Sequence, residues 1–323
     1  MLKSDEASLP LVSAVIPTRN RPELVCRAVQ SALSQTYSNL EVVVVVDGPD
    51  PSTVKALEQL NAPRLRVVAL KDNVGGSEAR NIGAREAKGE WIALLDDDDE
   101  WLPEKLHKQI AVANTLKDKV AFLACKFVER SANETRIYPS RMPDRNEPIE
   151  EYLFCPKGYP GGAPFVQTST LLIPRELMMR IPFVTGLKRG QELVWMFRAC
   201  TYGYAGYHII PEVLSIFNAE GYTDNWRVSS KPNWRSYYEW VQENRMCFSP
   251  KAYSFCIATS VLPDVMRCKE PLSVKIKLLR DCIRDGSPTP KCLMLVLLRL
   301  CVPIQLLRRL KNSLSVATKQ HRR

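Results

Sequence analysis

Four consecutive aspartates, Asp96–Asp99, follow a short apolar run, Trp91–Leu95. Carboxylates this close repel one another, and the cluster costs stability unless a cation offsets it. Hard divalent ions such as Mg2+ and Mn2+ prefer oxygen ligands. They bind through one or two carboxylates together with substrate phosphates. The chemistry these residues offer is therefore a metal and diphosphate site. The competing reading is a solvated acidic turn ahead of a helix beginning near Pro103, because acids favour helix amino termini. Other cluster chemistry is poorly supported. The three histidines, His107, His208 and His321, lie far apart, which suits neither a histidine-rich metal site nor a hydrolase triad. Ten cysteines are scattered from Cys26 to Cys301 with no Cys-x-x-Cys pair. They read as neither zinc ligands nor a compact disulfide framework.

The elements around the aspartates explain how such a site would be held. Leu11–Pro17 reads as a strand that ends in the loop Thr18-Arg19-Asn20-Arg21, and Pro22 sits where a helix would begin. Leu40–Val46 is almost wholly apolar and β-branched, as expected of a parallel strand buried on both faces. It ends in the turn Asp47-Gly48-Pro49, and Ser52 is placed to cap a helix to about Leu60. Leu65–Leu70 reads as a third strand. Asn73-Val74-Gly75-Gly76 turns into a helix over Ser77–Ala87, and the aspartate-bearing strand follows. Strand and helix thus alternate four times, which predicts a doubly wound parallel sheet. In such sheets ligands bind outside the carboxyl ends of the strands. That rule brings Thr18, Asn20, Asp47 and Asp96–Asp99 together.

Further on, the pattern predicts a helix over Pro103–Leu116 and strands at Val120–Val128 and Thr168–Ile173. It also predicts a helix over Gln191–Tyr202 and two short strands, Ala205–Ile210 and Val213–Phe217. Residues 129–165 read as an irregular stretch rich in Pro and Gly, long enough to be functional or mobile. From Pro232 onward the pattern is helical.

Length and composition set the outer bounds. A chain of 323 residues, 45% hydrophobic and 25% charged, suits a large domain with an appendage. The net charge of +10 is uneven: Gly286–Arg323 holds eight Lys/Arg and no Asp/Glu. The basic character belongs to the tail, which argues against a broad nucleic-acid-binding face. Met1–Pro10 is polar and acidic without an apolar leader-like run, so a cytoplasmic location is expected.

The residues resemble family 2 glycosyltransferases, nucleotide-sugar enzymes of the GT-A fold. The resemblance is carried by Val12–Arg21, Leu40–Gly48, Asn73–Gly83 and Gly89–Pro103, in the right order and spacing. Weaker pieces are Gln167–Arg175 and Gly190–Arg198. It spans about residues 10–220, which implies a GT-A domain over 10–225 after a flexible stretch at 1–9. A helical extension with the basic tail would occupy 226–323.

What the resemblance implies for the site is specific. Pro17, Thr18 and Asn20 would close over the base of a nucleotide sugar, and Asp47 would accept a base N–H. Asn73, Gly75 and Arg80 would line the nucleotide. The competing role for Arg80 is a surface helix salt bridge, which would contribute little. Asp96 and Asp98 match an Asp-x-Asp motif. One faces the ribose and the other holds Mn2+ or Mg2+ on the diphosphate, so Asp96 and Asp97 are assigned to the nucleotide sugar and Asp98 to the metal. The run of four leaves the register open to Asp97 or Asp99. Glu192 stands where members of the family carry a catalytic base, usually an Asp preceded by Glu, whereas this chain has Gln191-Glu192. A second acid found two residues later is Val194 here.

The implied reaction is inverting transfer of a sugar to a hydroxyl of a saccharide or lipid-linked acceptor, in cell-surface polysaccharide biosynthesis. A nucleotidyltransferase, or a catalytically impaired subunit on the same fold, is the alternative. Cys292–Ile304 is apolar apart from Arg299, is broken by Pro303, and is followed by six cations. It is too short to span a bilayer. It suits either peripheral contact with the inner face of an anionic membrane or a helix packed on the domain.

Overall fold

The computed structural model describes residues 9–116, 118–131, 135–157, 164–187, 190–204, 206–219 and 234–301. The chain divides into two compact units. One comprises residues 1–149 and 156–226, the other residues 150–155 and 227–323.

The first unit is built on one mixed sheet. Its strands are β1 (Val12–Thr18), β2 (Leu40–Val46), β3 (Leu65–Ala69), β4 (Trp91–Leu94), β5 (Glu100–Trp101), β6 (Leu123–Arg130), β7 (Thr135–Tyr138), β8 (Leu172–Pro174) and β9 (His208–Asn218). The order is β3-β2-β1-β4-β8-β6-β9-β5, with β7 paired to β6. The four strands β3-β2-β1-β4 are mutually parallel, β8 runs antiparallel to both neighbours, and β6 and β9 are parallel. β1 lies between β2 on one side and β4 on the other. The chain therefore reverses its direction of travel across the sheet at β1. That makes the carboxyl ends of β1, β2 and β4 the switch point where a crevice forms.

The helices of this unit are α1 (Pro22–Leu33), α2 (Pro51–Gln59), α3 (Gly76–Glu86), α4 (Lys105–Thr115), α6 (Arg175–Arg180) and α7 (Gln191–Arg198); α5 (Ile149–Phe154) leads into the second unit. Val25, Ala28, Val29 and Ala32 of α1 are buried and share the core with alternate residues of β1 and β2. On the other face α3 comes very close to the sheet. A Cβ on Gly83 would lie 2.3 Å from Val15 Cγ1 and 3.3 Å from Val45 Cγ2, well inside van der Waals contact. Gly83→Ala is therefore expected to lower stability by about 1–3 kcal/mol through overpacking, read as an earlier midpoint in urea unfolding.

Several local expectations are corrected. The amino-terminal cap of α2 is Asp50, whose carboxylate accepts from the Thr53 amide at 3.1 Å, while the Ser52 hydroxyl donates to Asp50. The two strands expected at 205–217 are one strand, β9. Its register against β6 shifts between Cys125 and Phe127, where Pro211 and Glu212 are accommodated. Proline removes a ladder donor, so the interruption in the sequence pattern marks a bulge. The stretch 129–165 contributes β7 and α5. Thr168–Thr170 forms a 3-10 turn before β8, and α7 gives way to a π-helical turn at Ala199–Gly203.

The second unit consists of helices α8 (Trp234–Glu243), α9 (Pro250–Cys256), α10 (Leu262–Arg267), α11 (Leu272–Arg284) and α12 (Pro290–Cys301), together with residues 150–155. Among the described residues no helix is long and apolar enough to cross a membrane.

Candidate active site

The carboxyl edge of β1, β2 and β4 gathers the predicted residues by backbone geometry alone. β1 ends at Thr18, whose carbonyl accepts from the Asp47 amide at 2.8 Å just beyond β2. Leu95, just beyond β4, donates to the Val15 carbonyl. Thr18 Oγ1 then donates to Asp97 at 2.8 Å, tying the end of β1 to the aspartate turn.

The loop after β1 is held from below. Asn20 adopts a left-handed φ of 53°, and its amide donates to Asp50 at 2.6 Å. Asp50 thus caps α2 and pins the turn after β1 at Asn20 with the same carboxylate; Pro17 and Thr18 are the last residues of β1. Asp47 does a similar job on the other side. Its two oxygens accept from the amides of Val74 at 2.7 Å and Gly75 at 3.0 Å. Asn73 Oδ1 also accepts from the Gly75 amide, and Gly75 takes φ 84° ahead of α3. Asp47 is 6% exposed and shapes the Asn73–Gly75 turn. Each oxygen keeps a further lone pair for another donor.

The four aspartates have four different environments. Asp96 is ion-paired to Arg80 at 2.5 Å, and its amide donates to Ser169 Oγ at 2.9 Å. Asp97 is buried between Thr18 and Arg21, the latter at 2.9 Å. Burial and the Asp98 charge push its carboxyl up to about 6, against the pull of Arg21. Asp98 is partly exposed and shares the Arg21 guanidinium at 3.1 Å. Asp99 is fully buried. It accepts from Ser169 Oγ at 2.7 Å and from Gln167 Nε2, and the Asn218 amide approaches it at 3.3 Å. Burial and the charges of Asp96 and Asp98 raise its carboxyl well above the usual range.

Asp99 therefore ties the turn to the segment before β8 and to β9, whereas Asp96, Asp97 and Asp98 pair with the cations Arg80 and Arg21. Asp99→Ala is expected to cost about 2–3 kcal/mol, because Ser169 and Gln167 would be left buried without their acceptor. Asp99→Asn keeps an acceptor and removes a repulsive charge, so its loss should be clearly smaller. Thermal unfolding of the two variants measures the difference.

Arg80 is the hinge of the site. Its side chain is 11% exposed, so it is not a surface salt bridge. Its guanidinium binds Asp96, donates to Gln191 Oε1 at 3.1 Å, and lies 5.9 Å from the centre of the Phe183 ring. A Cβ on Gly76 would meet it at 3.1 Å. Through Gln191 it fixes the start of α7. Gly190 precedes that helix with φ 63°, and Glu192 is its second residue. Burial raises the Glu192 carboxyl above the usual range; contact with its own amide and the charge of Arg80 oppose the shift, and the charge of Asp96 adds to it. Val194 is fully buried in the core, where an apolar residue belongs.

The geometry also brings in residues that the sequence did not assign. Arg21 bridges Asp97 and Asp98. Arg27 and Asn218 both donate to the Asp98 carbonyl, and Gln167 and Ser169 hold Asp99. Gln167–Ser169 lie in one of the weaker family-like stretches, which was the one signal available. Among the described residues no three His, Cys, Asp or Glu side chains form a ready metal cage. A separate cavity of about 560 Å3 lies beside Gly89 and Trp91 at the other end of β4 and takes no part in this arrangement.

The model of glycosyl transferase family 2 matches residues 13–180, a stretch that begins in β1, contains all four aspartates and ends with α6. The chain belongs to this family. It is a glycosyltransferase, and its fold is the mixed-sheet GT-A architecture. It is 26% identical over 241 residues to the amylovoran biosynthesis glycosyltransferase AmsB of Erwinia amylovora, covering 68% of this chain and 78% of that protein. A shorter match, 40% over 114 residues, links it to the putative colanic acid biosynthesis glycosyl transferase WcaA of Escherichia coli. That match covers 32% of this chain and 40% of WcaA. The fold is shared with TarS 1–349 of S. aureus, at TM-score 0.61 and 19% identity over 90% of this chain and 85% of that one. It is shared too with the mannosyltransferase PcManGT of Pyrobaculum calidifontis in complex with GDP-Man and Mn2+, at TM-score 0.54 and 16% identity over 91% and 88% of the two chains. TarS has also been solved with UDP-GlcNAc.

Proposed function

We propose that this glycosyltransferase moves a sugar, with inversion, from a nucleoside diphosphate donor to a hydroxyl of a saccharide or lipid-linked acceptor, in the building of a cell-surface polysaccharide. The observation that carries the reading is the convergence of Thr18, Asp47, Arg80, Asp96–Asp98 and the start of α7 at one edge of the sheet. The bound donors of the structural neighbours and the polysaccharide named for AmsB support it.

In this reading the Pro17–Asn20 segment and the Asn73–Gly75 turn flank the base, and Asp47 offers its remaining lone pairs to a base N–H. Asp96 and Asp97 face the ribose and diphosphate. Divalent metal use is common in this fold family, and the residues here fit such an ion. Asp98 presents a partly exposed carboxylate, and Mg2+ or Mn2+ on a diphosphate needs only one or two protein carboxylates. A metal there would neutralise the charge of the departing nucleoside diphosphate.

Glu192 acts as base. The acceptor oxygen forms a bond to the anomeric carbon, the bond from that carbon to the diphosphate oxygen breaks, and the acceptor proton passes to the Glu192 carboxylate. The raised carboxyl of Glu192 suits proton acceptance better than an ordinary carboxylate would. Arg80 positions this helix through Gln191 and pairs with Asp96 beside it.

A hydrolysis and transfer screen over UDP- and GDP-sugars with Mn2+ tests the reading. Release of one nucleoside diphosphate well above the others is expected. Release of inorganic pyrophosphate from nucleoside triphosphates instead would favour a nucleotidyltransferase. The basic tail proposed for membrane contact, including Arg308, Arg309, Lys311, Lys319, Arg322 and Arg323, lies outside the described residues.

A further inference from the structure

The second unit turns a set of apolar side chains outward. On α11, Leu272 is 67%, Ile276 57% and Ile283 54% exposed. With the half-buried Leu279 they recur at helical spacing and make one narrow stripe. Arg280 borders the stripe on one side and Lys275 on the other, with Arg284 further round the helix beyond Arg280. On α12, Leu293, Met294, Leu297 and Leu298 are all exposed, Leu297 by 61%. The cation in that helix turn, Arg299, points inward and donates to the Thr259 carbonyl at 3.3 Å. Apart from the half-buried Lys291 in its first turn, the exposed side chains of α12 from Leu293 to Leu298 are apolar. A soluble fold gains nothing by exposing these residues and hiding the arginine.

The charges decide what covers this face. Residues 272–301 contain two acids, Asp281 and Asp285. Asp281 is buried and receives the Tyr238 hydroxyl, while Asp285 is ion-paired to Arg284 at 2.8 Å. Arg280 pairs with the buried Asp281 at 3.7 Å and Lys277 lies 5.2 Å over the Tyr238 ring, so among the described residues of these two helices no exposed acid faces the apolar stripe. The 22 residues that continue from α12, 302–323, carry six cations and no acid. Like charge disfavours that segment as the cover, and it equally disfavours a second copy of the same face. An anionic surface is attracted to the cations and buries the apolar side chains. Long cationic side chains at the border of an apolar stripe reach up to lipid phosphates while their stems stay in the apolar layer.

We propose that the exposed apolar side chains of α11 and α12 dock this unit on an anionic lipid bilayer. Here the described helices, and not the terminal tail alone, supply the apolar part of the contact. The inference is independent of which sugar is transferred.

The test is co-sedimentation of the full chain with vesicles of phosphatidylcholine mixed with phosphatidylglycerol, and with phosphatidylcholine alone. The full chain is expected to pellet with the mixed vesicles and far less with the neutral ones. Ile276→Asp combined with Leu297→Asp should weaken that binding by about tenfold or more, because two anchors are replaced by charges. Ile276→Ser with Leu297→Ser should act in the same direction more mildly, and thermal unfolding of both variants should match the parent because the positions are exposed. Donor hydrolysis should be unchanged, which separates membrane docking from catalysis. Failure of the full chain to bind anionic vesicles would overturn the proposal. So would undiminished binding by both double variants, which would assign the contact to residues 302–323. So would a concentration-dependent dimer, in gel filtration, that the substitutions dissolve.

Discussion

Glu192→Gln is expected to bind donor nearly as the parent does and to lose transfer by about 10²–10⁴-fold in kcat, the usual contribution of a general base. The amide keeps the shape of the side chain and its place at the start of α7 but cannot take the acceptor proton. The pH profile gives a second readout. Burial raises the Glu192 carboxyl, and the deprotonated form is the active one. Parent kcat/KM should therefore fall as pH drops through a value above the ordinary carboxylate range. That acid limb should vanish from the residual activity of the Gln variant. Single-turnover transfer and donor titration across pH check both parts. Near-parental turnover in Glu192→Gln would move the base elsewhere, and Asp97, already pushed up to about 6 by burial and Asp98, would be the next carboxylate to examine.

The second large effect is expected at Asp98. Asp98→Asn should weaken nucleoside diphosphate binding in Mn2+ by at least the ~10–100-fold that follows loss of even an outer partner of a metal ligand. Binding measured without metal should change much less. The fold should survive, because Asp98 is partly exposed and the backbone of the turn is held by Arg27 and Asn218 on the Asp98 carbonyl. Circular dichroism and thermal unfolding establish that. Equal affinity in parent and variant, with equal response to Mn2+, would remove Asp98 as the metal ligand and leave the family assignment intact.

The contrast between Asp98 and Asp99 shows where the sequence stops being informative. The four parallel strands were legible because buried parallel strands are apolar runs and each ended in a polar turn. The switch-point rule then placed Thr18, Asp47 and the aspartates at one edge. A run of identical residues, however, carries no register. Only the fold distinguishes the carboxylate that turns inward to Ser169 and Gln167 from those that face outward. Those partners come from a segment about 70 residues away, and no local periodicity reports such a contact. The competing reading of Arg80, a surface ion pair, could not be set aside from the sequence for the same reason. Its partners Gln191 and Phe183 belong to distant elements. The interruption at Pro211-Glu212 read as a strand break because a bulge and a loop look alike until the neighbouring strand is known.

The central claim is a metal-assisted nucleotide-sugar site at the carboxyl edge of β1, β2 and β4. Isothermal titration of the full chain with UDP and with GDP, in Mn2+ and again in excess chelator, tests it most directly. Saturable binding of at least one of the two in Mn2+, strongly weakened by the chelator, is the predicted result; binding of neither, or binding indifferent to the chelator, would contradict it.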